Sequence, residues 1–477
     1  MSKMRRYVWL AAAAGLALRL FFAWRFPANA GDTAIYDELA RNWLDHHVYG
    51  LFINGQLTPV DIRAPGYPAF LAAVYVIFGR TRLAVMLVQA VVDVATCFLT
   101  AALAARLAPE AARQRVTLAA LGLAVSCPFV ANYSAVVLTE VPATFFTTLA
   151  LVVLVRAMEN EESAAPGRSL GISLSDWFVG GLLVGLGALV RPEAPLILAS
   201  VAPVLILQWR RPKDWKKLAR VGALAAAGFV LPLLPWGARN WRDFHRAQFL
   251  APRYAELPGE FVPHGFHAWM KTWLVRFRDV YLVAWKLEEE PVDIQDLPAS
   301  AFDSVEERAR VASLLERYND TLTISPEMDE EFRQLARERT VRHPLRTYLW
   351  VPLRRAVTLW FTPRLELLPV SGRLRPVAQR WTEDPVDFSV TVFFGALNVL
   401  YVGLALAGVW FALRRRAQLG PGQRLGLELL ITFIVLRTAL LTQVQTPEPR
   451  YVVVCFPAVL ALSAMVGARR DSSLRSE

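Results

Sequence analysis

Ten apolar runs, each near the length of a bilayer crossing, are punctuated by clusters of arginine and lysine, and no other feature constrains the fold as tightly. The runs are 7–26, 83–105, 115–133, 136–156, 176–190, 193–209, 220–237, 388–412, 425–442 and 451–468. A helix needs roughly 17–25 apolar residues to cross the hydrocarbon core. Lys3, Arg5 and Arg6 precede the first run. The second ends at Arg106, the fourth at Arg156, the sixth at Arg210 and Arg211, the eighth at Arg414–Arg416 and the tenth at Arg469 and Arg470. Every even run therefore closes on basic residues, the signature of cytoplasmic loops. The pattern predicts an all-α polytopic membrane protein of about ten transmembrane helices with both termini cytoplasmic.

Composition agrees. Of 477 residues 55% are hydrophobic and only 19% charged, more apolar surface than a soluble chain can bury. The net charge of +11 would suit nucleic acid, but its location at the ends of apolar runs assigns it to topology, and no basic-aromatic binding motif accompanies it. Cys97, Cys127 and Cys455 lie within apolar runs and read as small hydrophobes. Ala28-Asn29-Ala30 has the look of a cleavage site, yet the preceding run is longer than a signal core and contains Arg19, so the first helix is read as retained.

Three regions follow: an N-terminal transmembrane module over 1–237, a polar region over 238–387 and a C-terminal transmembrane module over 388–477. The first outer loop, 27–82, contains an apolar stretch at 67–79. It is only about 18 Å long as a helix, too short to span, and counting it as a span would invert every later basic cluster. It is therefore read as lying in the outer interface, as is 344–361, which carries Arg346, Arg354 and Arg355. In the polar region, Ser304 with Glu307 forms a capping box opening a helix at 305. Ser325-Pro326 opens a second helix that stops before His343-Pro344. With no strand alternation, this region should be a small helical one.

Ionisable residues gather at the outer ends of the spans. Asp32, in Gly31-Asp32-Thr33-Ala34-Ile35-Tyr36, follows the first helix. It suits a helix N-cap and equally a general base at the membrane boundary. Arg63 opens Arg63-Ala64-Pro65-Gly66-Tyr67-Pro68, a guanidinium beside a rigid turn at headgroup depth, suited to a lipid phosphate or to simple snorkelling. Glu140 begins the fourth span, Arg191-Pro192-Glu193 turns between the fifth and sixth, and Glu448-Pro449-Arg450-Tyr451 stands at the mouth of the last. Charges at membrane depth are costly, so several on one side suggest a shared polar cavity. Arg19, Asp93 and Arg437 read either as functional charges or as structural ion pairs. His46 and His47, and His264 and His267, lack a companion set of carboxylates or thiolates and read as surface histidines; the sequence does not indicate a divalent metal, but the question of one stays open, and no other cofactor is expected.

The order Gly-Asp-x-x-x-Tyr, Arg-x-Pro-Gly-Tyr-Pro, Leu-Thr-Glu, Arg-Pro-Glu and a terminal Arg-Tyr resembles the GT-C membrane glycosyltransferases, in particular bacterial members akin to protein O-mannosyltransferases and lipid A aminoarabinose transferases. The resemblance implies a GT-C helical bundle in the bacterial inner (plasma) membrane with its active site facing the periplasm. It implies a sugar donor on a polyprenyl phosphate such as undecaprenyl phosphate, a glycan, lipid or protein acceptor offering a hydroxyl or phosphate, and inversion at the anomeric carbon. By the same resemblance Asp32 is the catalytic carboxylate and Arg63 and Arg450 face the donor phosphate; Tyr36, Tyr67, Glu140, Arg191, Glu193, Glu448 and Tyr451 are further candidates to line the shared polar cavity. Two departures stand out: mannosyltransferases carry Asp-Glu where this chain has Gly31-Asp32, and the outer region is short. The rival reading is a lipid or glycan flippase. It would require inverted repeats and charges at the midplane, whereas here the halves show no repeat and the charges lie on one face.

Overall fold

The computed structural model describes every residue except 1–2, 29, 164–169, 212–213, 253–256, 258–259 and 472–477. Six helices are long and apolar enough to cross a membrane: Arg5–Arg25, Arg82–Leu107, Glu140–Glu162, Trp215–Phe244, Pro385–Arg414 and Pro449–Ala468. The protein is a multi-pass membrane protein, but the expected ten spans are not reached by length and apolar character among the described residues. The run 115–133 is broken. Glu110–Ser126 and Pro128–Ala135 meet at 49°, because Pro128 has no amide hydrogen to continue the ladder; counted as one span they make seven. The runs 176–190 and 193–209 form the shorter helices Ser175–Val190 and Leu196–Gln208, separated by the turn at Pro192 and Pro195. The run 425–442 lies in the helix Pro421–Leu441, which carries Arg424, Glu428 and Arg437.

The chain divides into two compact units. The first comprises 1–257, 363–436 and 453–477. Helix α1 (Lys3–Arg25) is fixed to α4 (Arg82–Leu107) by a fully buried ion pair, Arg19 Nε to Asp93 Oδ2 at 2.8 Å. Arg19 also donates to the carbonyls of Gly15 and Val125 and to Cys97 Sγ. The question left open for Arg19 and Asp93 is thus answered: they are a structural pair, in which backbone carbonyls complete the donors of Arg19 while Asp93 Oδ1 is buried without a hydrogen-bond partner among the described residues.

Between α1 and α4 lie α2 (Gly31–His46), a hairpin of β1 (Gly50–Ile53) and β2 (Gln56–Pro59), and α3 (Gly66–Phe78). The hairpin turns at Asn54 (φ 51°) and Gly55 (φ 78°), the Asn-Gly pair that two left-handed residues favour. Asn42 donates to Gly50 O at 2.8 Å and Glu38 accepts from Phe52 N at 2.7 Å, tying the hairpin to α2. Arg239, in the helix Leu234–Phe244, donates to the carbonyls of Tyr49 and Val60. Leu39, Tyr49, Leu51, Val60, Ile62 and Trp236 form the core beneath.

The second unit comprises 258–362 and 437–452 and is helical. Its aromatic core includes Phe266, Trp269, Trp273 and Phe332. Ser304 Oγ accepts from Glu307 N and Ser325 Oγ from Met328 N, so both expected caps open helices, Val305–Thr321 and Pro326–Arg342. The segment 344–361 becomes a π turn over Arg346–Trp350 that continues as the helix Val351–Phe361. Its exposed Tyr348, Trp350, Leu353 and Val357 form an apolar flank.

Candidate active site

Asp32 is the second residue of α2, whose N-cap is Ala30. The N-cap reading of Asp32 is therefore displaced by two positions: the cap is an alanine, and Thr33 Oγ1 accepts from Ala30 N at 3.4 Å. The Asp32 carboxylate instead accepts from Arg63 Nη2 at 2.8 Å. Arg63 is placed by its own backbone. Tyr49 Oη donates to the carbonyls of Arg63 and Ala64 at 3.0 and 3.3 Å, and burial holds the Tyr49 hydroxyl well above its ordinary pKa, as a donor. Three residues on, Gly66 presses α3 against the end of the helix Ser175–Val190; a Cβ there would stand 2.5 Å from the carbonyl oxygen of Leu189. The Pro-Gly pair thus sets where α3 starts and so where Arg63 stands.

A second pair lies alongside. Arg191 Nη2 donates to Glu140 Oε1 at 2.6 Å and Arg191 Nε to Thr139 Oγ1 at 2.8 Å. The two pairs differ in access. The Asp32 and Arg63 side chains are 27% and 21% exposed, those of Glu140 and Arg191 1% and 11%. The first pair is open to molecules outside the protein; the second is its buried neighbour.

Tyr36 joins the two. Burial, followed by the adjacent Asp32 carboxylate, pushes its hydroxyl up to about 12, with Glu140 acting in the same direction and Arg63 and Arg191 opposing. Its ring packs edge-on against Tyr67 at 5.1 Å. Tyr67 Oη in turn donates to the fully buried Gln89, which donates to Val136 O at 2.8 Å. Around Arg63, burial opposes the charge, but Asp32 and Tyr36 outweigh it and hold the guanidinium above its ordinary pKa. Asp32, Tyr36, Arg63, Tyr67, Glu140 and Arg191, from separate stretches of chain, therefore form one cluster. Glu193 lies in the turn after Arg191, where its carbonyl accepts from Leu196 N at 3.1 Å.

The remaining expected residues belong to the second unit. Arg450 Nε pairs with Glu448 Oε2 at 2.5 Å, and Tyr451 Oη donates to Glu448 Oε1 at 2.8 Å. Arg437 donates to Tyr451 O, so it too has a structural role. Among the described residues no group of three or more His, Cys, Asp or Glu is arranged to hold a metal. Sequence reading missed Tyr49 and Gln89, and had Thr139 only as the middle residue of the Leu-Thr-Glu motif. A glutamine within the apolar run 83–105 was the available signal for Gln89, since an amide at that depth needs a partner.

A family model described as dolichyl-phosphate-mannose-protein mannosyltransferase matches residues 62–236. The chain is 28% identical over 197 residues to the undecaprenyl phosphate-alpha-4-amino-4-deoxy-L-arabinose arabinosyl transferase of Pseudomonas aeruginosa, 40% of this chain and 34% of that protein. Its fold matches the Archaeoglobus fulgidus oligosaccharyltransferase AglB, solved with an inhibitory peptide and a dolichol-phosphate, with a TM-score of 0.52 at 15% identity, over 97% of this chain and 50% of that one. The chain has the GT-C fold. A further GT-C structure, ArnT of Cupriavidus metallidurans bound to undecaprenyl phosphate, aligns with a TM-score of 0.42 at 14% identity, over 97% of this chain and 78% of that one. The chain thus matches about a third of the length of its curated relative and half that of the archaeal enzyme. The mannosyltransferase match begins at Ile62, so of the cluster described above it includes Arg63, Tyr67, Glu140 and Arg191 and stops short of Asp32 and Tyr36.

Proposed function

We propose that this protein is a GT-C glycosyltransferase that moves a sugar from a polyprenyl phosphate to an acceptor at the periplasmic face of the bacterial inner membrane, with inversion and with both termini cytoplasmic. The observation that carries this reading is the accessible Asp32–Arg63 pair set against the buried Glu140–Arg191 pair. A carboxylate able to take a proton beside a guanidinium fork suited to phosphate is what displacement of a lipid phosphate requires, and this supports the reading.

In the reaction, the acceptor hydroxyl gives its proton to an Asp32 carboxylate oxygen as its own oxygen attacks C1 of the sugar. The C1–O bond to the phosphate breaks, and its electron pair leaves with the polyprenyl phosphate. That group gains negative charge as it departs, and Arg63 turns from Asp32 toward it, which lowers the barrier because the contact strengthens in the transition state. Arg191 and Glu140 do not touch substrate; they fix the floor on which Tyr36 rests. A role for Arg450 in donor binding is supported by motif order alone and is tested by its own variant, Arg450→Lys.

The test is to incubate purified protein with a radiolabelled polyprenyl-phosphate sugar and candidate acceptors and to follow release of polyprenyl phosphate. Time-dependent loss of donor that Asp32→Asn abolishes supports transfer. Movement of intact donor between leaflets of proteoliposomes, with no loss, would replace this reading with a flippase.

A further inference from the structure

The second unit contains a cleft of about 510 Å³ that has no part in the transfer chemistry described above. Lys271, Arg333, Arg337 and Arg355 line it, together with hydroxyls and an amide from residues that include Thr340, Thr347 and Gln443, and no acidic side chain among the described residues lines it. Arg333 is neutralised from outside by Asp329 and Glu330 at 2.8 and 2.5 Å, and the exposed Arg337 reaches Glu330 only at 3.8 Å.

Arg355 is the decisive residue. It is 1% exposed, and no carboxylate among the described residues pairs with it. Its Nε donates to Leu274 O and its Nη1 to the carbonyls of Thr442 and Val444. Its Nη2 is buried with no hydrogen-bond partner among the described residues, and so is Thr347 Oγ1, from another residue of the same lining. Burial unopposed by any acid brings the Arg355 guanidinium down to about 10. An unpaired buried donor is destabilising, and more so when charged. A cationic cleft that tolerates two such atoms is suited to an anion that would satisfy them. Val341 and Tyr348, at 82% and 74% exposure, form an apolar lip on the same cleft.

We infer that this cleft is a phosphate-binding site in which Lys271, Arg337 and Arg355 hold a phosphate group carried either by a soluble compound or by a membrane amphiphile whose chain lies along the apolar lip. Guanidinium forks and threonine hydroxyls match phosphate oxygens. The inference does not depend on the transfer reading, because it concerns binding alone.

The test uses the full-length protein in neutral detergent, with inorganic phosphate and short-chain phosphatidic acid as separate probes and calorimetric titration as the readout. With Arg63→Gln as the common background, so that the proposed donor site does not contribute, saturable binding of at least one probe is expected, weakened at least tenfold when Lys271→Gln/Arg337→Gln is added. Binding of phosphatidic acid alone assigns the site to a lipid; binding of phosphate in both forms, or of inorganic phosphate alone, assigns it to a soluble source. If the double variant lowers the thermal unfolding midpoint, Arg337→Glu, at an exposed position, carries the same test. Absence of saturable binding by either probe, or binding that survives the Lys271 and Arg337 changes, overturns the proposal.

Discussion

Arg63 donates to Asp32 at 2.8 Å across 31 residues of sequence, so the residue proposed to accept a proton and the residue proposed to hold the leaving phosphate restrain each other before substrate arrives. A carboxylate tied to an arginine is a weak base. Phosphate binding that draws Arg63 away would release Asp32 at the moment it is needed, coupling donor binding to base activation.

Asp32→Asn keeps the size of the side chain and its hydrogen bond from Arg63 while removing proton acceptance. Turnover should fall by about 10²–10⁴-fold, the usual scale of general-base catalysis, with donor affinity little changed. Steady-state turnover and donor titration on the same preparation separate the two effects, and undiminished turnover would reduce Asp32 to a partner for Arg63.

Arg63→Lys keeps the charge but loses the planar fork. Donor binding should weaken and transfer slow by roughly tenfold or more, since a point charge cannot replace two-pronged recognition of phosphate. Native kinetics in the Arg63→Lys variant would mean that Arg63 contributes only charge.

Glu140→Gln should act on stability rather than on chemistry. Breaking a buried pair leaves Arg191 without its counter-charge, at a cost of about 3–5 kcal/mol. The thermal midpoint in detergent should drop clearly, and Glu140→Met/Arg191→Met should recover much of it. A double variant as unstable as the single one would show that Thr139 and Tyr36 need the arginine itself.

His267 gives the second unit an acid limit. Burial, then the nearby His264, holds its imidazole down at about 4, against the pull of Asp329. The unfolded chain takes up this proton near its ordinary value of 6.5, so below that pH the unfolded state binds more protons than the folded one. Stability contributed by neutral His267 is complete above about pH 6.5 and is lost as pH falls toward 4. Unfolding midpoints measured between pH 7 and 4 should decline less steeply in His267→Gln, and parallel profiles would exclude the residue as the source.

Much of the site was legible because its parts are strongly typed. Asp32, Arg63, Glu140 and Arg191 are charges at the ends of apolar runs, where charge is costly, and they do converge. The two serine caps at Ser304 and Ser325 were legible for the same local reason. The ten-span count was not, because hydropathy does not register how a helix is interrupted. Pro128 bends one run, Pro192 and Pro195 split another, and three charges mark the helix Pro421–Leu441. The hairpin after α2 was announced by Asn54-Gly55 but overlooked beside the helical pattern around it. Which of Arg19, Asp93 and Arg437 were structural depended on long-range partners that no local pattern reveals.

The carbonyls that Arg355 gathers have a consequence for biogenesis. Thr442 and Val444 are 87 and 89 residues downstream, and the whole of Pro385–Arg414 and of Pro421–Leu441 must emerge from the ribosome before they do. The second unit therefore cannot finish folding as it is translated. It waits, with guanidinium contacts unmade, until both of those helices have been synthesised, so chains arrested before residue 442 should be exposed to quality-control proteases at this unit while their N-terminal helices are already packed.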